Sequence, residues 1–168
     1  MRIDPNIYTL NADKLAQKLL GMKLCRFNDG SINKFTITET ECYLGEEDTA
    51  CHAHKGKTNR TKILYEEGGL AYIYLCYGIH YMLNIVSGPS NYPQAVLIRG
   101  IDGFDGPGKL TKALNIDKSF NGENLNLSNK LWLEYGNKKY QYQSMKSIGI
   151  DYATDEYRNK LWRFKIIK

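Results

Sequence analysis

The 168-residue chain carries 23 Lys and Arg against 18 Asp and Glu, a net charge of +5, with 42% hydrophobic and 24% charged residues. At roughly 150 residues per domain this predicts one domain over residues 1–168, large enough to bury a core without disulfides or metals. The same balance excludes disordered and collagen-like chains. Tyrosine is over-used: 13 Tyr stand against 5 Phe and 2 Trp, and Tyr72, Tyr74, Tyr77 and Tyr81 fall close together.

The chain opens Met1-Arg2-Ile3-Asp4-Pro5 without the apolar run of a secretory signal, and its most apolar stretch, Leu70 to Val86, is too short and too polar to span a bilayer. Cys25, Cys42, Cys51 and Cys76 show no paired short spacing and read as reduced, buried thiols. A cytoplasmic location with no membrane partner is expected.

In chain order, Asn11 is placed to cap a short amphipathic helix over Ala12 to Leu20, with Leu15, Leu19 and Leu20 on one face and Gly21 as its stop. From Lys34 the period becomes two. Phe35, Ile37, Glu39, Glu41 and Tyr43 share one side of a strand and Thr36, Thr38, Thr40 and Cys42 the other. Glu46 to Gly69 breaks into an acidic triplet and then the basic run His52 to Lys62, which predicts a long functional loop with a helical turn at its end. Leu70 to Val86 predicts a hairpin with Tyr77 and Gly78 near its tip. Ala95 to Arg99 is a further strand, and Asp105-Gly106-Pro107-Gly108 starts a helix through Lys109, Leu110, Ala113 and Leu114. Beyond residue 119 the chain is less informative: polar turns around Asn121 to Asn129, a strand near Leu131 to Tyr135, then Ile148-Gly149-Ile150 and a terminal strand Leu161 to Ile167.

Several residues carry candidate chemistry. Glu41, flanked on its own side by Phe35, Ile37 and Tyr43, reads either as a desolvated acid or base or as a strand-edge carboxylate facing water. Arg99 ends an apolar strand and needs an anionic partner if buried, for which Glu41 is the economical choice. The tyrosine cluster is either core or a stacking platform beside a basic loop, the arrangement that holds unstacked bases. Asn84 either reads a base edge or pairs with backbone. Gly108 and Lys109 either cradle a phosphate at the helix start or form an ordinary loop-to-helix junction. His52 and His54 beside Cys51 hint at a metal-dependent hydrolase, but the spacing lacks the further ligands that a metal site needs.

Glu39-Thr40-Glu41-Cys42-Tyr43-Leu44-Gly45, then Asp48, Ala50-Cys51-His52, Gly56-Lys57-Thr58-Asn59-Arg60, Ala71 to Gly78, Asn84, Val96 to Arg99 and Gly106 to Leu110 follow one another in an order and spacing that resembles the alkyladenine (3-methyladenine) DNA glycosylase family. Ile148-Gly149-Ile150 and Arg163-Phe164 continue the likeness, which covers nearly the whole chain. The resemblance implies a mixed α/β (α+β) domain around a curved antiparallel sheet, with a protruding β-hairpin that intercalates into DNA. It further implies a monofunctional enzyme of base excision repair, acting as a monomer on duplex DNA beside the chromosome of a prokaryote, without metal or other cofactor. On that basis Glu41 activates the water and Arg99 positions it. Tyr43, His52, Tyr72, Tyr74 and Asn84 form the base pocket, and Tyr77 is the wedge. Lys57, Arg60, Gly108 and Lys109 are expected at phosphates. The alternative is a noncatalytic binder of distorted or single-stranded nucleic acid. The short segment between Arg99 and Gly106 implies a more open outer wall than in mammalian members of the family.

Overall fold

A computed structural model describes residues 1–168. A 3₁₀ turn (Pro5–Thr9) leads into α1 (Ala12–Leu19), followed by β1 (Lys23–Asn28) and the long β2 (Ser31–Leu44). Two further 3₁₀ turns, His52–Lys55 and Lys62–Tyr65, punctuate the basic loop before β3 (Ala71–Cys76), β4 (His80–Val86) and β5 (Gln94–Ile101). The short β6 (Phe104–Asp105), α2 (Pro107–Ala113), a 3₁₀ turn (Lys118–Phe120), β7 (Leu131–Glu134), β8 (Tyr142–Met145), α3 (Asp155–Arg158) and β9 (Arg163–Ile166) complete the chain. The strands form one nine-stranded sheet in the order β3-β4-β5-β2-β1-β7, with β6 on β5 and β9 joining β2 to β8. Every pairing is antiparallel. The architecture is thus the expected mixed α/β fold on a curled antiparallel sheet. No helix is long and apolar enough to cross a membrane.

The curl follows from β2. Its first half pairs with β1, while its second half pairs with β5 on one edge and β9 on the other. Register shifts between Ile37 and Thr40 mark the change of partner, and such irregularities bend a strand and raise its twist. They also overturn one expectation. Ile37 packs in the main core, but so does Cys42, and Thr40 Oγ1 donates to Ala16 O of α1 at 2.8 Å. The alternation therefore changes phase across the irregularity. Phe35 and Ile37 belong to the core side, and Glu39, Glu41 and Tyr43 point to the other. On β5 the phase changes in step, since Val96, Ile98 and Ile101 all reach the core.

A cluster of 26 buried residues lies between this side of the sheet and helices α1 and α2. Helix α1 contributes Ala12, Leu15, Ala16 and Leu19, the apolar stripe of its sequence. Asn11 sits at the N-cap but makes no capping bond with its side chain. Gln94 of β5 replaces it: its buried Oε1 accepts from Ala12 N–H at 2.6 Å, and its Nε2 donates to Asn11 Oδ1 at 3.4 Å. The helix ends at Leu19, with Gly21 just beyond it at φ +86°, a conformation glycine adopts without strain. On the opposite side of the sheet a smaller cluster of Cys51, Ala53, Leu64, Tyr65, Tyr72, Val86 and Ala95 anchors the basic loop. The candidate site opens between that cluster and the strands.

Candidate active site

Glu41 is fully buried, and its partners Tyr43 and Arg99 line a pocket of about 490 Å³. Its Oε2 accepts from Arg99 Nη1 at 3.0 Å and its Oε1 from the Tyr43 hydroxyl at 3.0 Å. The β2–β5 register brings them together: Glu41 lies opposite Leu97, two residues before Arg99. Burial pushes the Glu41 carboxyl above the usual carboxylate range, and Arg99 is the strongest influence in the other direction. Desolvation raises the proton affinity of a carboxylate, which suits it to act as a base. Phe35 and Ile37 do not flank Glu41 as expected, because the phase change carries them to the core side of the sheet.

The walls are aromatic. His52 and Tyr74 meet at a centroid distance of 4.5 Å and an interplanar angle of 65°, and Tyr72 packs 5.7 Å from Tyr74. Tyr72 supports His52 through a 3.0 Å bond between its hydroxyl and Nδ1. Burial, with the charge of Arg60 second, lowers the His52 pKa to about 4, so the ring is neutral at pH 7. Arg60 leans over the Tyr74 ring at 5.6 Å and lines the pocket, a placement more inward than a phosphate contact alone requires. Asn84 is buried on β4 opposite Tyr72. Its Nδ2 donates to Tyr72 O at 3.2 Å and Met82 O at 3.4 Å, which leaves Oδ1 for the pocket it lines. The backbone pairing is therefore the reading of Asn84 that its contacts show.

Tyr77 is 86% exposed at the tip of the β3–β4 hairpin, where it lines the pocket mouth. It adopts φ +53° beside Gly78 at +67°, closing the turn with Ile79 N–H donating to Cys76 O at 3.1 Å. A non-glycine residue in the left-handed region costs on the order of 1 kcal/mol, and strain of this kind gathers at functional sites. Ile79 beside it is 71% exposed.

Lys57, Gly108 and Lys109 lie outside the pocket lining. Lys57 stacks over the Tyr65 ring at 5.5 Å, with Tyr65 in turn bonded to Glu46 at 2.5 Å. Gly106 caps α2 and Gly108 lies in its first turn. Gly106 N–H donates to Arg99 O at 3.0 Å, and Gly108 faces His80, whose ring lies 2.8 Å from where a Cβ would stand. His52 and His54 take separate partners, Tyr72 and the Glu46 carbonyl, and no three His, Cys, Asp or Glu side chains gather as a metal site. Reading the strand pattern missed a further wall, Ile148, Gly149, Ile150 and Tyr152, with the Tyr152 hydroxyl donating to Ala50 O at 2.9 Å. Gly149 between two isoleucines, at φ +74°, was the available signal of a turn there.

A buried carboxylate paired with an arginine thus lies next to an aromatic-walled pocket that reaches a tyrosine turn at positive φ. The profile of the methylpurine-DNA glycosylase family matches residues 6–105 and 102–168. The chain belongs to that family. A protein of Borreliella afzelii, named provisionally as a 3-methyladenine DNA glycosylase, is 43% identical over 177 residues, covering 98% of this chain and 95% of its own. A similarly named protein of Natranaerobius thermophilus is 38% identical over 190 residues (99% and 96%), and one of Psychrobacter cryohalolentis is 40% identical over 195 (98% and 91%).

Proposed function

We propose that this protein is a monofunctional 3-methyladenine DNA glycosylase that flips alkylated purines out of duplex DNA and hydrolyses their N-glycosidic bond. The observation that carries this reading is the Glu41–Arg99–Tyr43 constellation beneath a pocket walled by His52, Tyr72 and Tyr74. A base stacked in the duplex cannot present its sugar carbon to a positioned water, so the nucleotide rotates out at a cost of a few kcal/mol, least for a weakened pair. Tyr77 fills the space it leaves. Lys57, Arg60, Gly108 and Lys109 meet the phosphates. In the pocket the cationic alkylpurine lies against electron-rich rings and a neutral His52, an attraction on the order of 1 kcal/mol or more when dry. The Asn84 amide crowds the exocyclic amine of normal guanine.

The C1′–N bond then breaks with its electron pair moving to the purine, whose ring charge is neutralised. Water forms the new bond to C1′ and gives its proton to Glu41, whose carboxylate also stabilises the positive charge developing on the sugar. Arg99 holds Glu41 and the water in line. An abasic site and a free base result. No lysine lines the pocket, which supports water rather than an amine as the nucleophile.

Incubating the protein, with a chelator present, with a panel of duplexes each holding one lesion tests this directly. Free 3-methyladenine should appear in solution, and borohydride should trap no protein–DNA adduct. Binding without release on every duplex would instead identify a noncatalytic reader of distorted DNA. The panel also establishes whether hypoxanthine and ethenoadenine are accepted.

A further inference from the structure

Glu39 stands two residues before Glu41 on the same side of β2 and is 4% exposed. It faces three cations. Its Oε1 accepts from Arg163 Nη1 at 3.0 Å and lies 3.5 Å from Arg99 Nε, while its Oε2 lies 3.5 Å from Lys165 Nζ. Arg163 and Lys165 come from β9, directly opposite Glu41 and Glu39 in the register. Arg99 therefore sits between two carboxylates, Nη1 on Glu41 and Nε toward Glu39. That Nε is buried and has no hydrogen bond, so Glu39 is the anion that compensates it.

The groups facing Glu41 are Arg99 from β5, Tyr43 from β2, Arg163 from β9, the Ser147 hydroxyl after β8, and the Tyr74 and Tyr152 hydroxyls. Apart from Glu39, the charged groups in this shell are all positive. Positive charge near a carboxylate favours its ionised form and weakens it as a base.

We propose that Glu39 is a positioning residue for the hydrolysis, fixing the Arg99 side chain against Glu41 and balancing the cations that would otherwise weaken Glu41 as a base. The proposal rests on the reading of Glu41 as the base. The test is the pH profile of single-turnover 3-methyladenine release from methylated duplex DNA, with binding to abasic-site DNA measured alongside. Glu39→Gln should slow release about tenfold and move the acid limb down by about one pH unit, with abasic-site binding unchanged. Arg163→Gln, near the surface, should move the limb the opposite way, and the double variant should return it toward wild type. A structural role alone leaves the Glu39→Gln limb in place. If Glu39→Gln fails to fold, Glu39→Asp decides: it should keep the wild-type limb while slowing release, and a wild-type rate would overturn the proposal. The proposal is overturned by a wild-type rate and acid limb in folded Glu39→Gln, or by an Arg163→Gln limb that stays or moves down. Full release by Glu41→Gln would instead overturn the underlying reading.

Discussion

His52 shows how a side chain can serve the pocket at a cost to the fold. Its folded pKa of about 4 lies below the ordinary 6.5 because burial disfavours the imidazolium. Above pH 6.5 neither folded nor unfolded chain holds the proton; below it the unfolded chain takes up a proton that the folded chain refuses. Stability attributable to His52 therefore falls as pH drops from 6.5 toward 4. Linkage gives up to about 2 kcal/mol between pH 7.5 and 5, less whatever solvent access relieves. Urea titrations of wild type and His52→Gln at those two pH values check this: the wild type should lose more stability on acidification, and equal losses would assign the ring a normal pKa. At the same scale, the Glu41–Arg99 pair was legible in the sequence, because a guanidinium ending an apolar strand needs an anion. Glu39's partners were not, since Arg163 and Lys165 arrive on a strand more than a hundred residues away.

Among the elements, the β3–β4 hairpin carries the exposed Tyr77, the proposed wedge, at its tip. Its alternation of aromatic and β-branched residues and the Tyr77-Gly78 pair made it readable. Tyr77→Ser should slow base release from duplex DNA roughly tenfold, the scale of one lost base–aromatic stack of about 1–3 kcal/mol. Release from single strands, where no partner strand needs wedging, should change little; parallel assays on both substrates decide, and equal losses would remove the wedge. The tip end of the hairpin is held by α2, where Thr111 Oγ1 donates to Tyr81 O at 2.8 Å and Gly108 allows His80 to approach. Gly108→Ala drives a Cβ to within 3.0 Å of His80 Cβ, Cγ and Nδ1, which predicts a loss of about 1–3 kcal/mol from overpacking. Adding His80→Ala should recover most of it, as measured by thermal unfolding. Strand β1 escaped the sequence reading for a physical reason. Leu24, Cys25 and Arg26 are buried in succession between β2 and β7, so no alternation survives for a period-two search to find.

Across the whole molecule, the decisive geometric event is the phase change in β2. One strand feeds Ile37, Thr40 and Cys42 to the core and Glu39, Glu41 and Tyr43 to the site. A strict period-two reading put Phe35 and Ile37 beside Glu41, because a local irregularity leaves no mark in the hydrophobic pattern. The net charge of +5 is modest, so its distribution must carry DNA binding. Lys57→Ala and Lys109→Ala should each lower the slope of log binding constant against log salt by about 0.9, the counterions released by one phosphate contact. Tyr77→Ser should leave the slope unchanged, and filter binding or fluorescence anisotropy over a salt series distinguishes the cases.

Glu41→Gln keeps the shape of the side chain and an acceptor for Arg99 but removes the proposed base. Single-turnover release of 3-methyladenine from methylated duplex DNA, compared between wild type and Glu41→Gln at equal occupancy, tests the account most directly. The expected result is a loss of at least ~100-fold in release, with abasic-site DNA still bound and the Tm no lower than wild type. Release at the wild-type rate by the variant would contradict it.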